Sequence, residues 1–398
     1  MTPPFTPDTV VGVLGAGAMG GGIAQVAARA GHRVVLVDTS REQLERAHAA
    51  FAQALARDVE KGRLDAAAAK AVGARVDHVE RGAEAPMDMF ETCGIVIEAI
   101  VERLDIKHSA FAALERAVAP GCALATNTSS LSVSSIGSAC ERPERVLGVH
   151  FFNPAPVMPL VEIVPGVATS DAVVRDVRAL VDGWKKTTVI AADTPGVIVN
   201  RIARPFYGEA WRIVEEGSAD AATVDWAMRD LGGFRMGPFE LMDFIGHDVN
   251  FAVTRSVYEA TFHEPRYRPS LSQQRLVEAG RLGRKAGRGV YDYRDGAARP
   301  APNADRASGE AILRRILAML VNEAADAVHW RIASAADIDL AMTRGVNYPK
   351  GLLAWGDELG AATVLAQLEA LHAEYGEDRY RASPLVRRAA RDGGRLGA

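Results

Sequence analysis

A histidine and a glutamate, His150 and Glu162, stand at the two ends of a stretch that three prolines interrupt. The residues around each of them are apolar and β-branched, which is typical of strands. If the two strands pair antiparallel across the stiff turn, His150 and Glu162 face each other. A carboxylate beside an imidazole fixes the ring's tautomer and stabilises its protonated form, so this pair could serve as a general base.

The same two residues have a simpler interpretation. A histidine buried in a sheet can have no relation to a surface glutamate, and for an isolated pair that arrangement is the more common one. The elements that surround the pair decide between the two interpretations.

The most informative of these elements is the glycine-rich run Gly15-Ala16-Gly17-Ala18-Met19-Gly20. It follows an apolar strand pattern over residues 9–14 and opens a helix pattern that ends at Gly31. A second strand pattern, over residues 32–37, runs into Asp38. A lone glycine run is weak evidence, but this order of strand, glycines, helix, strand and acid is typical of dinucleotide-binding folds.

Each glycine has a physical role in such a site. Gly15 allows a tight turn, Gly17 lets a pyrophosphate approach the backbone, and Gly20 lets the helix pack closely on the strand. The N–H groups of the first helical turn, which contains Ala18 and Met19, attract the phosphate charge. The alternative is a glycine-rich turn without a ligand, and the surrounding pattern disfavours it.

Asp38 bears on the choice of cofactor. Its carboxylate can accept hydrogen bonds from both hydroxyls of the adenosine ribose, and it would repel a 2′-phosphate. Arg41 is the one arginine that follows it closely. The pattern therefore favours NAD over NADP.

Further polar residues fall where predicted strands end. An apolar strand pattern ends at Glu102, with Lys107 inside the next predicted helix, and another pattern over residues 122–126 runs into Asn127 and Ser129. Ligands bind at the carboxyl ends of strands in open α/β sheets, so these side chains are candidates for ligand contacts. For Ser129 the alternative is a hydrogen bond to its own loop.

A helical region lies between these strands. Residues 41–72 have helical spacing with a break near Gly62, which predicts two helices. Lys61 and Arg63 at this break could contact a phosphate of the substrate, although a solvated basic tip is the simpler explanation.

The pattern changes after residues 187–193, the last predicted strand of the sheet. Pro195 and Gly196 mark the change, and helical spacing follows, with Pro205 expected to kink the helix that contains Asn200. For Asn200 itself, helix capping is the simplest role.

The second half of the chain contains an internal repeat. Sliding the chain by 114 residues aligns residues 209–246 with residues 323–360 without a gap, and 12 of the 38 positions are identical. A short strand pattern at residues 289–293 and a stretch of linker composition at residues 294–308 precede the second copy. We infer two copies of one helical domain.

These patterns predict an α/β protein. An N-terminal, Rossmann-like, doubly wound sheet is followed by two repeated all-α domains. The predicted domains are residues 1–194, 195–293 and 309–398, with the linker at residues 294–308.

Composition excludes several classes of function. The 398 residues are 48% apolar and 24% charged, and a formal net charge of −4 gives no case for a nucleic-acid or membrane partner. Neither a membrane-spanning run nor a secretory signal is recognisable. Cys93, Cys122 and Cys140 form neither a metal-spaced cluster nor a disulfide framework, so we expect no metal and a reducing cytoplasm.

Together these motifs resemble those of the 3-hydroxyacyl-CoA dehydrogenase family over essentially the whole chain. The tandem helical copies are similar to those of 3-hydroxyadipyl-CoA and 3-hydroxybutyryl-CoA dehydrogenases of the tandem type. The matching segments are the glycine run, Glu98–Glu102, Thr126–Ser130, His150–Pro154 with Glu162, and Pro195–Arg201.

The resemblance implies NAD-dependent oxidation of a 3-hydroxyacyl-CoA to the 3-oxoacyl-CoA, in fatty-acid or phenylacetate-type breakdown. It implies that His150 is the base, that Glu162 orients it, and that Ser129 and Asn200 hold the substrate oxygens. The chemistry is reasonable, because an alcohol loses hydride from carbon only as its O–H proton leaves to a base. The positions implied to line the cofactor site, beside the glycine run, are Asp38, Glu102, Lys107 and Asn127.

The second copy departs from this pattern. Arg314 occupies the position of Asn200, and no second His–Glu pair accompanies it, so we expect one active site per chain. The family's helical domain forms a dimer interface, which implies either a homodimer or a monomer whose second copy is an internal partner. Four basic residues of this copy are explained as surface charge in preference to a CoA phosphate site: Arg344, Lys350, Arg379 and Arg381.

Two rival functions stay open at this level. A β-hydroxyacid dehydrogenase with a lysine acid–base group would share the nucleotide and helical halves and act on a substrate without CoA, but it would lack the His–Glu pair. A non-catalytic NAD-binding protein would not need the set of His150, Glu162, Ser129 and Asn200.

Overall fold

The computed structural model describes residues 5–397. The start of the N-terminal stretch in which no secretory signal is recognisable, and the last residue of the second predicted copy, lie outside the described residues. The chain divides between Thr194 and Pro195 into two compact units, called here the first and the second unit.

The first unit is built on one sheet of eight strands in the order β3-β2-β1-β4-β5-β6-β7-β8. All neighbours are parallel except β6 and β7, which are antiparallel. The strands are β1 (Val10–Leu14), β2 (Val34–Asp38), β3 (Val76–Glu80), β4 (Cys93–Glu98), β5 (Ala123–Thr126), β6 (Val146–Phe151), β7 (Leu160–Pro165) and β8 (Thr187–Ile190).

Helices cover both faces of this sheet, as the uninterrupted apolar strands require. In β2, Val34 and Leu36 belong to one apolar core, whereas Val35 and Val37 belong to another on the opposite face. The predicted doubly wound α/β fold is therefore confirmed. The helices are α1 (Ala18–Arg29), α2 (Arg41–Glu60), α3 (Ala66–Gly73), α4 (Leu104–Ala117), α5 (Val133–Gly137) and α6 (Asp171–Gly183).

The two helices expected in residues 41–72 are confirmed, and Gly62 with a φ of +66° lies between them. The sequence pattern did not predict β3. This strand is at the sheet's edge, and only Val76 among its five residues is buried, so it lacks the apolar run that marks the other strands. The last strand, β8, ends at Ile190 and is shorter than predicted.

The second unit is helical. Its helices are α7 (Val199–Ile202), α8 (Arg204–Glu215), α9 (Ala221–Trp226), α10 (Pro238–Ile245), α11 (His247–Ala260), α12 (Leu271–Glu278), α13 (Arg306–His329), α14 (Ala335–Gly345), α15 (Leu352–Leu359), α16 (Ala361–Tyr375) and α17 (Pro384–Asp392).

Three local expectations in this unit need correction. Pro205 does not kink a continuous helix, because α7 ends at Ile202 and Pro205 lies in the first turn of α8, where its missing N–H costs no helical bond. Residues 289–293 do not form a strand, and only Asp292 among them takes part in an isolated bridge, with Arg288. Helix α13 begins at Arg306, within the predicted linker.

The internal repeat has the same local structure in both copies. Asp225 accepts hydrogen bonds from the backbone N–H groups of Phe239 (2.8 Å) and Glu240 (3.0 Å). Asp339, at the repeated position, accepts them from the equivalent Leu353 (2.8 Å) and Ala354 (3.0 Å). A carboxylate in each copy therefore caps the first turn of a helix, α10 or α15.

The matching glycines follow from this arrangement. A Cβ on Gly237 would lie 2.3 Å from a carboxylate oxygen of Asp225, and one on Gly351 would lie 2.4 Å from the carboxylate carbon of Asp339. Only glycine fits where the capping aspartate approaches the backbone so closely. The aspartate and glycine that the two copies share are therefore explained by the same helix cap in each copy.

The two copies also form reciprocal buried ion pairs with each other within the second unit. Glu323 of the second copy pairs with Arg201 of the first at 2.9 Å, whereas Glu209 of the first copy pairs with Arg315 of the second at 3.0 Å. Since the repeat offset relates Glu209 to Glu323 and Arg201 to Arg315, the contact is reciprocal, as at an interface with two-fold symmetry.

One expectation about basic residues is wrong. Arg379 is 4% exposed and donates to Glu209 at 3.1 Å. It therefore belongs to the buried ion pairs between the two copies and is not surface charge. Arg344 and Arg381 are exposed as expected, and Lys350 is half-buried. Among residues 5–397 no helix combines the length and the apolar character needed to cross a membrane.

Candidate active site

The glycine run forms the turn between β1 and α1. Gly15 has a φ of +102°, a conformation that favours glycine, and a Cβ on Gly20 would lie 1.8 Å from the carbonyl oxygen of Gly15. These two glycines are therefore required by the turn itself. A Cβ on Gly17, in contrast, would meet no atom of the described residues within 4 Å. The turn does not need this glycine, and the open space beside it suits a close approach of a pyrophosphate.

Asp38, at the end of β2, closes the same turn. Its carboxylate accepts hydrogen bonds from the backbone N–H groups of Ala16 (2.6 Å) and Ser40 (2.8 Å). A cavity of about 770 Å³ lies beside Gly15, Gly17 and Asp38. Its position at the carboxyl ends of β1 and β2 is where a doubly wound sheet binds a dinucleotide.

These residues fit NAD better than NADP. The carboxylate of Asp38 faces the cavity that would receive the adenosine, so a 2′-phosphate there would meet a negative charge. Arg41, the nearby arginine, forms an ion pair with Glu80 at 2.8 Å. The arginine noted in the sequence thus has an acidic partner of its own.

His150 and Glu162 are directly opposite each other in the antiparallel pair β6–β7. Nδ1 of His150 lies 2.7 Å from a carboxylate oxygen of Glu162, and both side chains are buried. Because Glu162 can only accept when ionised, this distance assigns the proton of the neutral ring to Nδ1. Among residues 5–397, Nε2 of His150 has no hydrogen-bond partner, so it can take up a proton.

Lys186, which no sequence pattern indicated, binds the turn between the two strands. Nζ of Lys186 donates to the carbonyl oxygens of Ala155 (2.6 Å) and Met158 (2.8 Å) in the Pro-rich turn. Burial lowers the pKa of Lys186. Nothing in its sequence context marks this lysine, because its partners are backbone atoms 28 and 31 residues away.

Glu102 binds the loop that follows β5 through several hydrogen bonds. Its carboxylate accepts hydrogen bonds from the hydroxyl of Thr128 (2.5 Å), the backbone N–H of Ser129 (3.1 Å) and the hydroxyl of Ser130 (3.0 Å). Burial opposes its ionisation, but the charge of Lys107 and these hydrogen bonds outweigh burial and hold the pKa of Glu102 below its ordinary value. Ser129 is therefore placed by an ionised Glu102.

Lys107 is fully buried, which the sequence did not indicate. Its Nζ lies 2.5 Å from Glu98 and 3.3 Å from Glu102. Glu98, at the end of β4, also accepts from the hydroxyl of Thr126 at 2.7 Å. A charged residue at the end of an otherwise apolar strand was the signal that could have identified Glu98, since a buried acid needs a partner.

Asn127 connects this loop to the histidine strand. Its side-chain oxygen accepts the backbone N–H of Phe151 at 2.8 Å, next to His150. The structure thus brings Glu102, Asn127, Ser129 and His150 to loops and strand ends on the carboxyl side of neighbouring strands.

The two remaining predicted residues lie in or beside helices. Asn200 lies in α7 of the second unit, where its backbone carbonyl accepts a hydrogen bond from Arg204 at 2.6 Å. Lys61 is exposed at the end of α2 and is not among the described residues that line the cavity beside Asp38.

Two family profiles match the chain. The profile of the 3-hydroxyacyl-CoA dehydrogenase NAD binding domain matches residues 10–194. The profile of the 3-hydroxyacyl-CoA dehydrogenase C-terminal domain matches twice, at residues 196–293 and 312–398.

Several relatives share most of the chain. The 3-hydroxyadipyl-CoA dehydrogenase of Escherichia coli K12 is 41% identical over 96% of this chain and 97% of its own length. The human mitochondrial hydroxyacyl-coenzyme A dehydrogenase is 38% identical over 71% of this chain and 91% of its own. The solved structure of 3-hydroxybutyryl-CoA dehydrogenase from Escherichia coli K12 covers 96% of this chain and 98% of its own, with 38% identity and a TM-score of 0.90. The chain belongs to the 3-hydroxyacyl-CoA dehydrogenase family and is an NAD-dependent oxidoreductase.

Proposed function

We propose that this enzyme oxidises the 3-hydroxyl group of a 3-hydroxyacyl-CoA to a 3-oxo group and that His150 takes up the proton. The observation that carries the proposal is the buried pair of His150 and Glu162, in which Nδ1 is bound and Nε2 has no partner among residues 5–397. A ring in this state accepts a proton at a single defined atom.

In this mechanism, the 3-hydroxyl proton passes to Nε2 of His150 as hydride leaves C3 of the substrate. NAD, when bound, supplies the hydride acceptor. Glu162, whose carboxylate lies 2.7 Å from Nδ1, stabilises the positive charge that the ring acquires. In the reverse direction the protonated ring returns the proton to the oxygen.

Ser129 and Asn200 are proposed to bind the hydroxyl and thioester oxygens, which fixes the substrate relative to His150. The network around Glu102 supports this role for Ser129, because it fixes the backbone on which the serine sits. Lys61, exposed at the end of α2, is proposed to contact a phosphate of CoA.

The cofactor is proposed to lie along the turn of Gly15, Ala18 and Met19, with Asp38 on the ribose. Glu102 and Asn127 would also line the cofactor site. Lys107 is 1% exposed, so we propose that it acts by holding Glu102 and does not contact the cofactor. The open space at Gly17 and the tight contact at Gly20 support this placement.

The organisation of the chain is proposed to be one nucleotide-binding domain, residues 1–194, and two helical domains, residues 195–293 and 309–398, joined at residues 294–308. The reciprocal pairs of Arg201 with Glu323 and Arg315 with Glu209 support the view that the second copy takes the place of a partner subunit. We therefore propose a monomer.

The substrate is proposed to be a short-chain 3-hydroxyacyl-CoA, including dicarboxylic ones, because the similar proteins are named for 3-hydroxyadipyl-CoA and 3-hydroxybutyryl-CoA. The corresponding pathways are fatty-acid or phenylacetate-type breakdown. A cytoplasmic location is supported by three free, buried cysteines.

The experiment is the oxidation of NADH with acetoacetyl-CoA, followed by NADH absorbance, with free acetoacetate as the matched control. We expect turnover with the CoA ester and none with the free acid. Turnover with the free acid alone would instead support a hydroxyacid dehydrogenase, and turnover with neither would support a non-catalytic protein. A series of short, long and dicarboxylic 3-hydroxyacyl-CoA substrates then defines the chain length.

A further inference from the structure

The segment that carries Asn200 is not stable by itself. Helix α7 has four residues, and a helix this short gains little from its own hydrogen bonds. It follows Gly196 and Val197, whose φ values are +76° and +50°. A left-handed conformation is strained for a β-branched residue such as Val197 and persists only where the surroundings enforce it. Contacts from other elements must therefore hold α7 in place.

The first copy provides one of these contacts. Arg204, which is 5% exposed, donates to the carbonyl oxygen of Asn200 at 2.6 Å and to the hydroxyl of Thr254 in α11 at 2.9 Å. The backbone of Asn200 is thus connected to a longer helix of its own copy.

The second copy provides another contact. Nε of Arg201, the residue after Asn200, donates to a carboxylate oxygen of Glu323 in α13 at 2.9 Å. Glu323 is 0% exposed, and its carboxylate also accepts the hydroxyl of Tyr267 and pairs with Arg266 at 3.4 Å. An ion pair removed from solvent in this way holds its two partners in one geometry.

The repeat contains an equivalent contact, around Glu209, with which the contact of Glu323 can be compared. Glu209 accepts from Arg315 at 3.0 Å, from Arg379 at 3.1 Å and from Tyr380 at 3.0 Å, which mirrors the cluster around Glu323. The residue before Arg315 is Arg314, an exposed side chain on the unbroken helix α13. The mirrored contact therefore has no substrate residue beside it.

We propose that Glu323 is a positioning residue for the reaction: through Arg201 it fixes α7 and so the orientation of Asn200. The second helical copy then contributes to turnover as well as to stability, although it has lost the catalytic positions. This inference rests on the proposed role of Asn200 as a substrate contact.

The test compares Glu323→Gln with Glu209→Gln in the full-length enzyme. Each substitution removes one buried negative charge from an equivalent cluster of arginine and tyrosine. We expect both variants to have lower melting temperatures. We expect Glu323→Gln alone to lower kcat for 3-hydroxybutyryl-CoA by about 10-fold or more, since small displacements of a positioning group have effects of up to about 100-fold.

Two further readouts separate positioning from general destabilisation. The KM for NAD should stay at the wild-type value in Glu323→Gln, and acetoacetyl-CoA affinity measured by titration calorimetry should fall in Glu323→Gln but not in Glu209→Gln. If either variant fails to fold, Arg201→Lys and Arg315→Lys form the second matched pair, because each keeps the charge and loses the Nε contact.

Equal kcat values in the two members of a pair would overturn the inference. Asn200→Ala, measured in parallel, shows which proposal has failed. A lower kcat in Asn200→Ala together with equal kcat values in the matched pair removes the role of Glu323 alone. A wild-type kcat in Asn200→Ala removes the proposed role of Asn200, and the inference with it.

Discussion

Among residues 5–397, each unit contains one buried pair of a histidine and a carboxylate, and the two pairs differ in how many imidazole nitrogens have a hydrogen-bond partner. In the first unit, Nδ1 of His150 lies 2.7 Å from Glu162. In the second unit, Nε2 of His247 lies 2.8 Å from Asp243, and its other nitrogen lies 3.3 Å from the side-chain amide of Gln273. His247 thus has a partner on each ring nitrogen, whereas His150 has one on Nδ1 only among residues 5–397.

The acid of the second pair also has a structural role. Asp243 accepts the backbone N–H groups of Val290 and Tyr291 at 2.9 Å, so its carboxylate fixes a loop. A histidine–carboxylate pair is therefore not evidence of catalysis by distance alone. What distinguishes the two pairs is a ring nitrogen of His150, near the end of β6, that has no hydrogen-bond partner among residues 5–397.

The largest expected effect comes from the histidines themselves. His150→Gln should lower kcat for 3-hydroxybutyryl-CoA with NAD by about 10²–10⁴-fold, because the proton-accepting group is lost. His247→Gln should leave kcat unchanged and lower the free energy of unfolding. Steady-state kinetics and urea unfolding of both variants measure these effects. A folded His150→Gln enzyme with near wild-type turnover would remove the distinction between the pairs.

The acids should show the same contrast with a smaller effect. Glu162→Gln keeps the size of the side chain but cannot balance the charge on the ring, so we expect kcat to fall by about 10²-fold, at the lower end of the range for an acid–base group. Asp243→Asn should change unfolding and not kcat. The same two assays apply. A Glu162→Gln enzyme with the wild-type kcat would show that turnover does not need the negative charge of Glu162.

The smallest effect concerns pH and stability in the second unit. Burial, together with the charge of Glu240, raises the pKa of Asp225 to about 7 against opposing hydrogen bonds from Tyr291 and from the backbone of α10. Burial also opposes ionisation of Asp243, but its hydrogen bonds from His247 and the backbone prevail and lower its pKa. The two acids should therefore respond to pH with opposite signs.

In the unfolded chain Asp225 titrates near its ordinary value of 3.8, so the folded state holds its proton more tightly between that value and about pH 7. Its contribution to stability is complete below pH 3.8 and is lost as pH rises to about 7, at about 1.4 kcal/mol per pH unit. The difference in unfolding free energy between wild type and Asp225→Asn should shrink over this range. Urea unfolding at pH 5, 6 and 7 measures it, and Asp243→Asn, whose difference should stay constant there, is the control.

The sequence predicted the fold where local pattern and burial agree. The glycine run, the apolar strands and the repeat of Asp225 and Gly237 each had a physical cause that the structure shows directly. The edge strand β3 was missed because its exposed residues have no apolar run, and the break before α8 was missed because Pro205 fits a helix start as well as a kink.

The site was predictable where its residues end strands, since parallel strands bring their carboxyl ends together. His150, near the end of β6, and Asn127, directly after β5, belong to this group. Glu162 lies near the start of β7 and faces His150 because the two strands are antiparallel. The contact of Lys186 with the Pro-rich turn and the ion pair of Arg379 with Glu209 join residues that are far apart in the chain. No spacing rule relates them, so they could not be read from one sequence.

The most direct test of the account is the structure of the enzyme with acetoacetyl-CoA and NAD, a pair that cannot react because both are oxidised. We predict that Nε2 of His150 lies about 2.6–3.2 Å from the C3 oxygen of the acyl group, the distance at which a general base takes up a proton. A C3 oxygen beyond the reach of Nε2, with a different acid–base side chain beside it, would contradict the assignment of His150.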